Sequence, residues 1–213
     1  MSHGLESSRL AVLVHEVRSP VAALAAIAEA VSDPTLDASL RRDLVRLAGT
    51  ACRSIGRIVA DAAMTALQRE ELDPAALVRE AASAWALGGA RVEARAPAGL
   101  PTISGDPIRL RQALDNLISN ALTHSGPDDV VVVVEAAVAG DGVLLSVSDS
   151  GRGLPLADQE RVLEAGVRLD PESPGSGLGL SIVRAIVVAH AGSLSVDSVP
   201  GAGATFTIAL PLG

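Results

Sequence analysis

Apolar and small residues recur at Leu10, Val14, Val17, Val21, Leu24, Ala28 and Val31, in alternating steps of four and three. That spacing is the seam of a helix built to pack on another helix. Ser32-Asp33-Pro34-Thr35 interrupts it, and the spacing resumes at Leu40, Leu44, Leu47, Ala51, Ile55, Ile58 and Ala62. Two such helices joined by a short turn form an antiparallel hairpin. A lone hairpin leaves its seams half covered. Two copies are therefore expected to pair into a four-helix bundle, which makes the protein a homodimer.

The pattern changes near Gln68. Asp73-Pro74 reads as the cap and first position of a helix reaching Leu87. Short apolar segments follow at 91–96 and 102–104. A helix over 107–123 carries Ile108, Leu110, Leu114, Leu117, Ile118 and Leu122. Residues 130–138 and 142–148 read as strands joined by an Ala-Gly-Asp-Gly hairpin turn. A stretch rich in Gly and Pro runs over 150–177, with a short helix near 158–164. A helix over 178–190 and strands over 193–199 and 204–210 close the chain. The expected architecture is a helical hairpin over 1–67, followed over 68–213 by an α/β sandwich. Its sheet is mixed or antiparallel, with helices on one face.

Composition narrows the chemistry. Hydrophobic residues make up 48% but aromatics 1%, so the core must be built from Ala, Val, Leu and Ile. A net charge of −8 with no basic stripe excludes a nucleic-acid partner. All 17 basic residues are Arg, which removes the phosphate-binding Lys of Walker NTPases and protein kinases. A nucleotide site here must use a metal ion, backbone amides and Arg. Cys52 is the only cysteine and reads as a small packed thiol, with no intrachain disulfide available. No charge-free apolar run of about 18 residues is present, so no membrane contact is expected in this segment. The expected location is the cytoplasm, either free or as the inner part of something larger.

Four constellations carry candidate chemistry. The first is His15-Glu16-Val17-Arg18-Ser19-Pro20. His15 falls one position off the seam, where water is expected, and Arg18 and Ser19 share its helix face. Glu16 can hold the imidazole Nδ1–H and leave Nε2 free to attack. Pro20 removes the N–H that would bond the Glu16 carbonyl, so a bend is expected there. The second runs from Asp115 to His124, where Asn116 and Asn120 lie one helical turn apart. Neutral amide oxygens suit a Mg²⁺ held mainly by phosphates. The third, Asp149-Ser150-Gly151-Arg152-Gly153-Leu154-Pro155, follows a strand. Its carboxylate can accept the exocyclic amine of an adenine, and its glycines let a ligand approach the backbone. The fourth, Gly175-Ser176-Gly177-Leu178-Gly179-Leu180-Ser181, opens a helix whose free N–H groups favour a phosphate chain.

Taken in this order, the four motifs resemble those of the sensor histidine kinase family. The first is similar to its H box, the second to its N box, the third and fourth to its two glycine boxes. The segment Gly201-Ala-Gly-Ala-Thr-Phe-Thr-Ile-Ala-Leu-Pro resembles the family's closing strand. The resemblance implies a dimerisation and histidine phosphotransfer hairpin followed by a gyrase-like ATP-binding domain. It implies ATP and Mg²⁺ as cofactors, His15 as phosphoacceptor with Glu16 beside it, and Asn120 as the Mg²⁺ ligand. Asp149 becomes the adenine contact, with Asn116, Gly151, Gly153, Gly175, Gly177 and Gly179 in the nucleotide site. It further implies an aspartate of a response regulator receiver domain as the final acceptor. Gyrase-type hydrolases carry a Glu general base one turn before the Mg²⁺-binding Asn. Asn116 in that place cannot take a proton from water, which fits transfer to histidine over hydrolysis. Three positions depart from the family: 161–168 lacks the usual aromatic, Thr123 replaces a basic residue, and Ser19 replaces the Thr or Asn linked to regulator dephosphorylation. The competing reading is a scaffold dimer that binds a regulator with little ATP turnover.

Overall fold

The computed structural model describes residues 2–33, 36–64, 67–124, 131–164 and 179–212. Within its helices, the side chains of residues 2–16, 38, 53, 56, 57 and 59–64 lie outside what is described. The expected seam positions Leu10, Val14 and Ala62 fall there, as do the side chains of His15 and Glu16. Pro34 and Thr35 of the expected turn, and Gly175 and Gly177, are also outside the described residues.

Helix α1 spans Ser2–Val31 and stays helical through Pro20; α2 spans Ala38–Met64 and packs against it. The described seam positions span a range of burial, with Val17, Leu24, Val31, Leu44 and Ile55 intermediate. Ala51 and Ile58 are buried, whereas Val21, Leu40 and Leu47 remain about half exposed at 48%, 49% and 56%.

The rest of the chain is β1 (Glu70–Leu72), α3 (Pro74–Leu87), β2 (Val92–Arg95), β3 (Ile103–Gly105), α4 (Pro107–His124), β4 (Val132–Ala139), β5 (Gly142–Ser148), α5 (Leu156–Val162), α6 (Gly179–Ala189), β6 (Ser193–Val199) and β7 (Gly203–Pro211). Five strands form a mixed sheet in the order β2-β4-β5-β7-β6, with β2 parallel to β4 and all other pairs antiparallel. Helices α3, α4 and α6 cover one face. The β4–β5 turn is two residues long, with φ +59° at Gly140 alone, the type II′ geometry that matches the strands' twist. β1 pairs antiparallel with β3 in a small separate sheet that the periodicity did not announce. Three residues with one buried side chain, Leu72, are too short to show alternation.

The core is aliphatic, as composition required. Leu110, Leu114, Leu117 and Ile118 of α4 meet alternate residues of β4 and β5, among them Val132, Val134, Val143 and Leu145. Val78 of α3 and Ile186 of α6 complete the layer, and Phe206 is the single Phe within it. Asp73 caps α3 by accepting from the Ala75 N–H at 2.8 Å, as its Asp-Pro pair suggested.

A buried polar junction fixes α4 against α6. Asp106 caps α4 by accepting from the Arg109 N–H at 3.0 Å, and its other oxygen accepts from the Gln68 N–H at 3.0 Å. The Asp106 N–H donates to His190 Nε2 at 2.9 Å. Nε2 must therefore carry a lone pair, which leaves Nδ1 protonated and donating to the Ile186 carbonyl at 2.7 Å. His190 is thus neutral. Burial lowers its pKa below the ordinary 6.5; the Ile186 bond and nearby Asp106 oppose this, and Arg69 assists it. The unfolded chain then binds more protons than the folded one as pH falls through 6.5, so His190 contributes stability that is present above 6.5 and lost below it. The unfolding midpoint of the wild type, followed by circular dichroism, is expected to fall between about pH 7 and pH 5. His190→Gln, which cannot titrate, should be less stable at pH 7 by about 1–3 kcal/mol but show a shallower slope. An unchanged slope would remove His190 from the acid response.

Candidate functional site

Helix α4 divides its surface between core and site. Leu110, Ala113, Leu114, Leu117, Ile118 and Ala121 are buried, and the remaining positions include Asn116 and Asn120, both half-buried. Asp115 is engaged elsewhere: its Oδ1 accepts from Trp85 Nε1 at 2.8 Å and from Arg111 Nε at 3.1 Å. That network holds the rotation of α4 from the α3 side. On the other side α4 packs against α6, and Gly179, the first residue of α6, faces Asn116. A Cβ at Gly179 would stand 3.7 Å from Asn116 Oδ1. Asn116 and the opening turn of α6 therefore border one region, and Asn120 follows Asn116 one helical turn along α4. The dipole of α6 gives that end of the helix positive character.

Asp149 follows β5 directly. Its N–H donates to the Ala204 carbonyl at 2.9 Å and its Oδ1 accepts from the Gly151 N–H at 2.8 Å. One carboxylate oxygen thus sets the turn, and the other has lone pairs to offer a ligand amine. The glycines have a steric reason. Gly153 has φ +66° and Gly203 φ +92°, and a Cβ on either would collide with a carbonyl, that of Val199 or that of Asp149. The loop of Asp149 lies against the β6–β7 turn, with the Gly201 N–H donating to the Arg152 carbonyl at 2.7 Å. Gly151 is itself buried beneath the loop.

The three departures have visible surroundings in part. Val162 and Leu163, in the segment that lacks the family's usual aromatic, pack against the core, and Arg184 Nη1 donates to the Leu163 carbonyl at 3.3 Å. The Thr123 hydroxyl turns back to donate to the Ser119 carbonyl at 2.7 Å. Ser19 is exposed on α1, as is Arg18.

Among the described residues no group of three or more His, Cys, Asp or Glu gathers as a metal cage. The donors that α4 offers are neutral amides, which fit an ion whose charge is met by phosphates. Sequence reasoning passed over the Asp106–His190 junction, although Asp106-Pro107 repeats the Asp-Pro cap signal of Asp73-Pro74. It also passed over Ser198 and Gln159, which carry no signal as single polar residues in a strand and a short helix. Among the described residues no helix is long and apolar enough to cross a membrane.

A family model for the histidine kinase-, DNA gyrase B- and HSP90-like ATPases matches residues 105–213. Sensor protein IrlS of Burkholderia pseudomallei is 32% identical over 212 residues, covering 93% of this chain and 46% of that protein. Sensor-like histidine kinase SenX3 of Mycobacterium tuberculosis is 36% identical over 213 residues, covering 92% of this chain and 52% of that protein. The chain thus spans about half the length of these relatives. Among solved structures, full-length ShkA in complex with AMPPNP superimposes with a TM-score of 0.67 at 28% identity, covering 96% of this chain and 45% of that one. The mycobacterial sensor histidine kinase MprB superimposes with a TM-score of 0.56 at 29% identity, covering 67% of this chain and 97% of that one. With the fold, the order of motifs and these relatives in agreement, the chain belongs to the histidine kinase-, DNA gyrase B- and HSP90-like ATPase family, on its sensor histidine kinase side.

Proposed function

We propose that this chain is the kinase core of a two-component sensor: it transfers the γ-phosphate of ATP to His15 and then to an aspartate of a response regulator. The observation that carries the reading is the half-buried asparagine edge of α4 beside the start of α6, in one chain with a helical hairpin that bears His15. The hairpin over 1–67 is the dimerisation and phosphotransfer unit, and 68–213 is the ATP-binding unit.

In this mechanism Asp149 accepts the adenine amine, and Gly151 and Gly153 let the ring approach the backbone. Asn116 and the glycine segment of Gly175, Gly177 and Gly179 line the phosphate chain. A Mg²⁺ ion, when bound through Asn120, neutralises charge on the phosphates. His15 Nε2 attacks the γ-phosphorus in line, the bond from that phosphorus to the β-phosphate oxygen breaks, and ADP leaves with the electron pair. Glu16 holds the Nδ1 proton, which becomes more acidic as the ring gains positive charge. A regulator carboxylate oxygen then attacks the same phosphorus, the N–P bond breaks, and neutral His15 is restored. Acceleration comes mainly from positioning and charge neutralisation. Ser19, exposed on the same helix, holds the position linked to hydrolysis of the regulator's aspartyl phosphate by water.

Dimerisation follows from the seams: Val21, Leu40 and Leu47 stay half exposed on a hairpin of this length, and a second copy would cover them. A scaffold with little turnover is the competing reading. The Thr123 hydroxyl favours it, because it is spent on its own helix at a position where a cation would meet phosphate.

Incubation with γ-labelled ATP separates the two. Acid-labile, base-stable label is expected on the wild type and none on His15→Gln; an unlabelled wild type that still dimerises and binds a receiver domain supports the scaffold. Asn120→Asp places a second anion beside the phosphates, so affinity for Mg²⁺–ATP should drop at least about tenfold with the circular dichroism spectrum unchanged. Retained affinity would take Asn120 out of the site. Leu47→Asp should turn a dimer into a monomer by light scattering, and a monomeric wild type would contradict the bundle.

A further inference from the structure

We propose that Ser198 is a positioning residue for the nucleotide, clasping the Asp149 loop to the β6–β7 turn, with Gln159 as its outer brace. The proposal rests on the reading of Asp149 as the adenine contact. Ser198 sits near the end of β6, half-buried. Its hydroxyl donates to the Gly203 carbonyl at 2.7 Å and accepts from the Leu154 N–H at 2.7 Å. One oxygen atom thereby joins the far end of the loop to the residue whose missing Cβ leaves room for the Asp149 carbonyl. Gln159 Nε2 donates to the Ser198 carbonyl at 2.7 Å and to the Leu154 carbonyl at 3.4 Å, closing the clasp from α5.

Two main-chain bonds also tie loop to turn, Asp149 N–H to Ala204 and Gly201 N–H to Arg152. They hold the near end and middle of the loop. At Leu154 the Ser198 hydroxyl and the Gln159 amide act beside the packing of the Leu154 side chain on the core. Removing the hydroxyl leaves a partly covered N–H and a carbonyl without their partner, and the loop gains freedom where the carboxylate must be aimed. A carboxylate free to sample several directions binds the amine less tightly, because ordering it must then be supplied by the ligand. Phosphate contacts on α4 and α6 are untouched. The effect should fall on base recognition and spare the transfer step.

Dissociation constants for Mg²⁺–ATP and Mg²⁺–GTP, with the autophosphorylation rate at saturating ATP, test this on the full chain. GTP lacks the amine at the position that Asp149 would read. For Ser198→Ala the preference for ATP over GTP should fall about five- to tenfold, with the saturated rate within twofold of wild type. Ser198→Thr keeps the hydroxyl on a β-branched strand residue and should restore the preference. Asp149→Ala is the reference. If Asp149→Ala abolishes the preference and Ser198→Ala leaves it intact, the clasp is overturned while the adenine reading stands. If Asp149→Ala leaves the preference intact, the adenine reading is overturned and the proposal with it. Should Ser198→Ala not fold, Gln159→Leu carries the test: a reduced preference supports the clasp and an unchanged one overturns it.

Discussion

The structure depends on how α4 divides its own circumference. Six aliphatic side chains on one face are buried against β4, β5 and the neighbouring helices, which anchors the helix with apolar surface worth roughly 0.8 kcal/mol per buried methylene. With that face committed, Asn116 lies at the border with α6 and Asn120 one turn further along the helix, both half-buried. A rotation of one residue about the helix axis would bury an amide in an aliphatic layer. The cost of an unpaired buried amide, about 1–3 kcal/mol, opposes that rotation. Core packing and site geometry are therefore one constraint. Asp106 and His190 add to it by pinning the N-terminal end of α4 to the C-terminal end of α6 through a tautomer that only neutral imidazole can provide.

The loop after β5 obeys a different constraint, that of close backbone approach. Gly153 and Gly203 exist because two strand ends and a loop cross with no space for side chains. The resulting main-chain bonds fix Asp149 to the start of β7. Aliphatic packing thus places the asparagine side of the region, and crowded glycines place the Asp149 side. Neither needs a lysine, in keeping with a chain whose cations are all arginine.

Much of this was legible in the sequence. Heptad spacing gave the hairpin, and period-two and period-3.6 patterns gave the strands and helices of the second half to within a few residues. The Asp-Pro signal located the start of α3, and strand-then-glycine order located the Asp149 loop. What stayed hidden has physical causes. β1 is held by pairing with a strand about thirty residues away, at Ile103, and three residues leave no periodicity to read. β7 begins at Gly203, inside what reads as a turn, because pairing with β6 continues to that residue. Ser198, Gln159 and His190 act across long sequence separations through single hydrogen bonds, and no local pattern encodes those.

In the proposed function, the asparagine edge of α4, the opening of α6 and the Asp149 loop form one nucleotide site. Amide resonances of the isotopically labelled protein, followed during titration with Mg²⁺–ADP, test it most directly. Saturable shifts of Asn116, Asn120, Asp149, Gly151 and Gly179 along one binding curve are the predicted result. Shifts absent from these five, or confined to the β2 edge of the sheet, would contradict it.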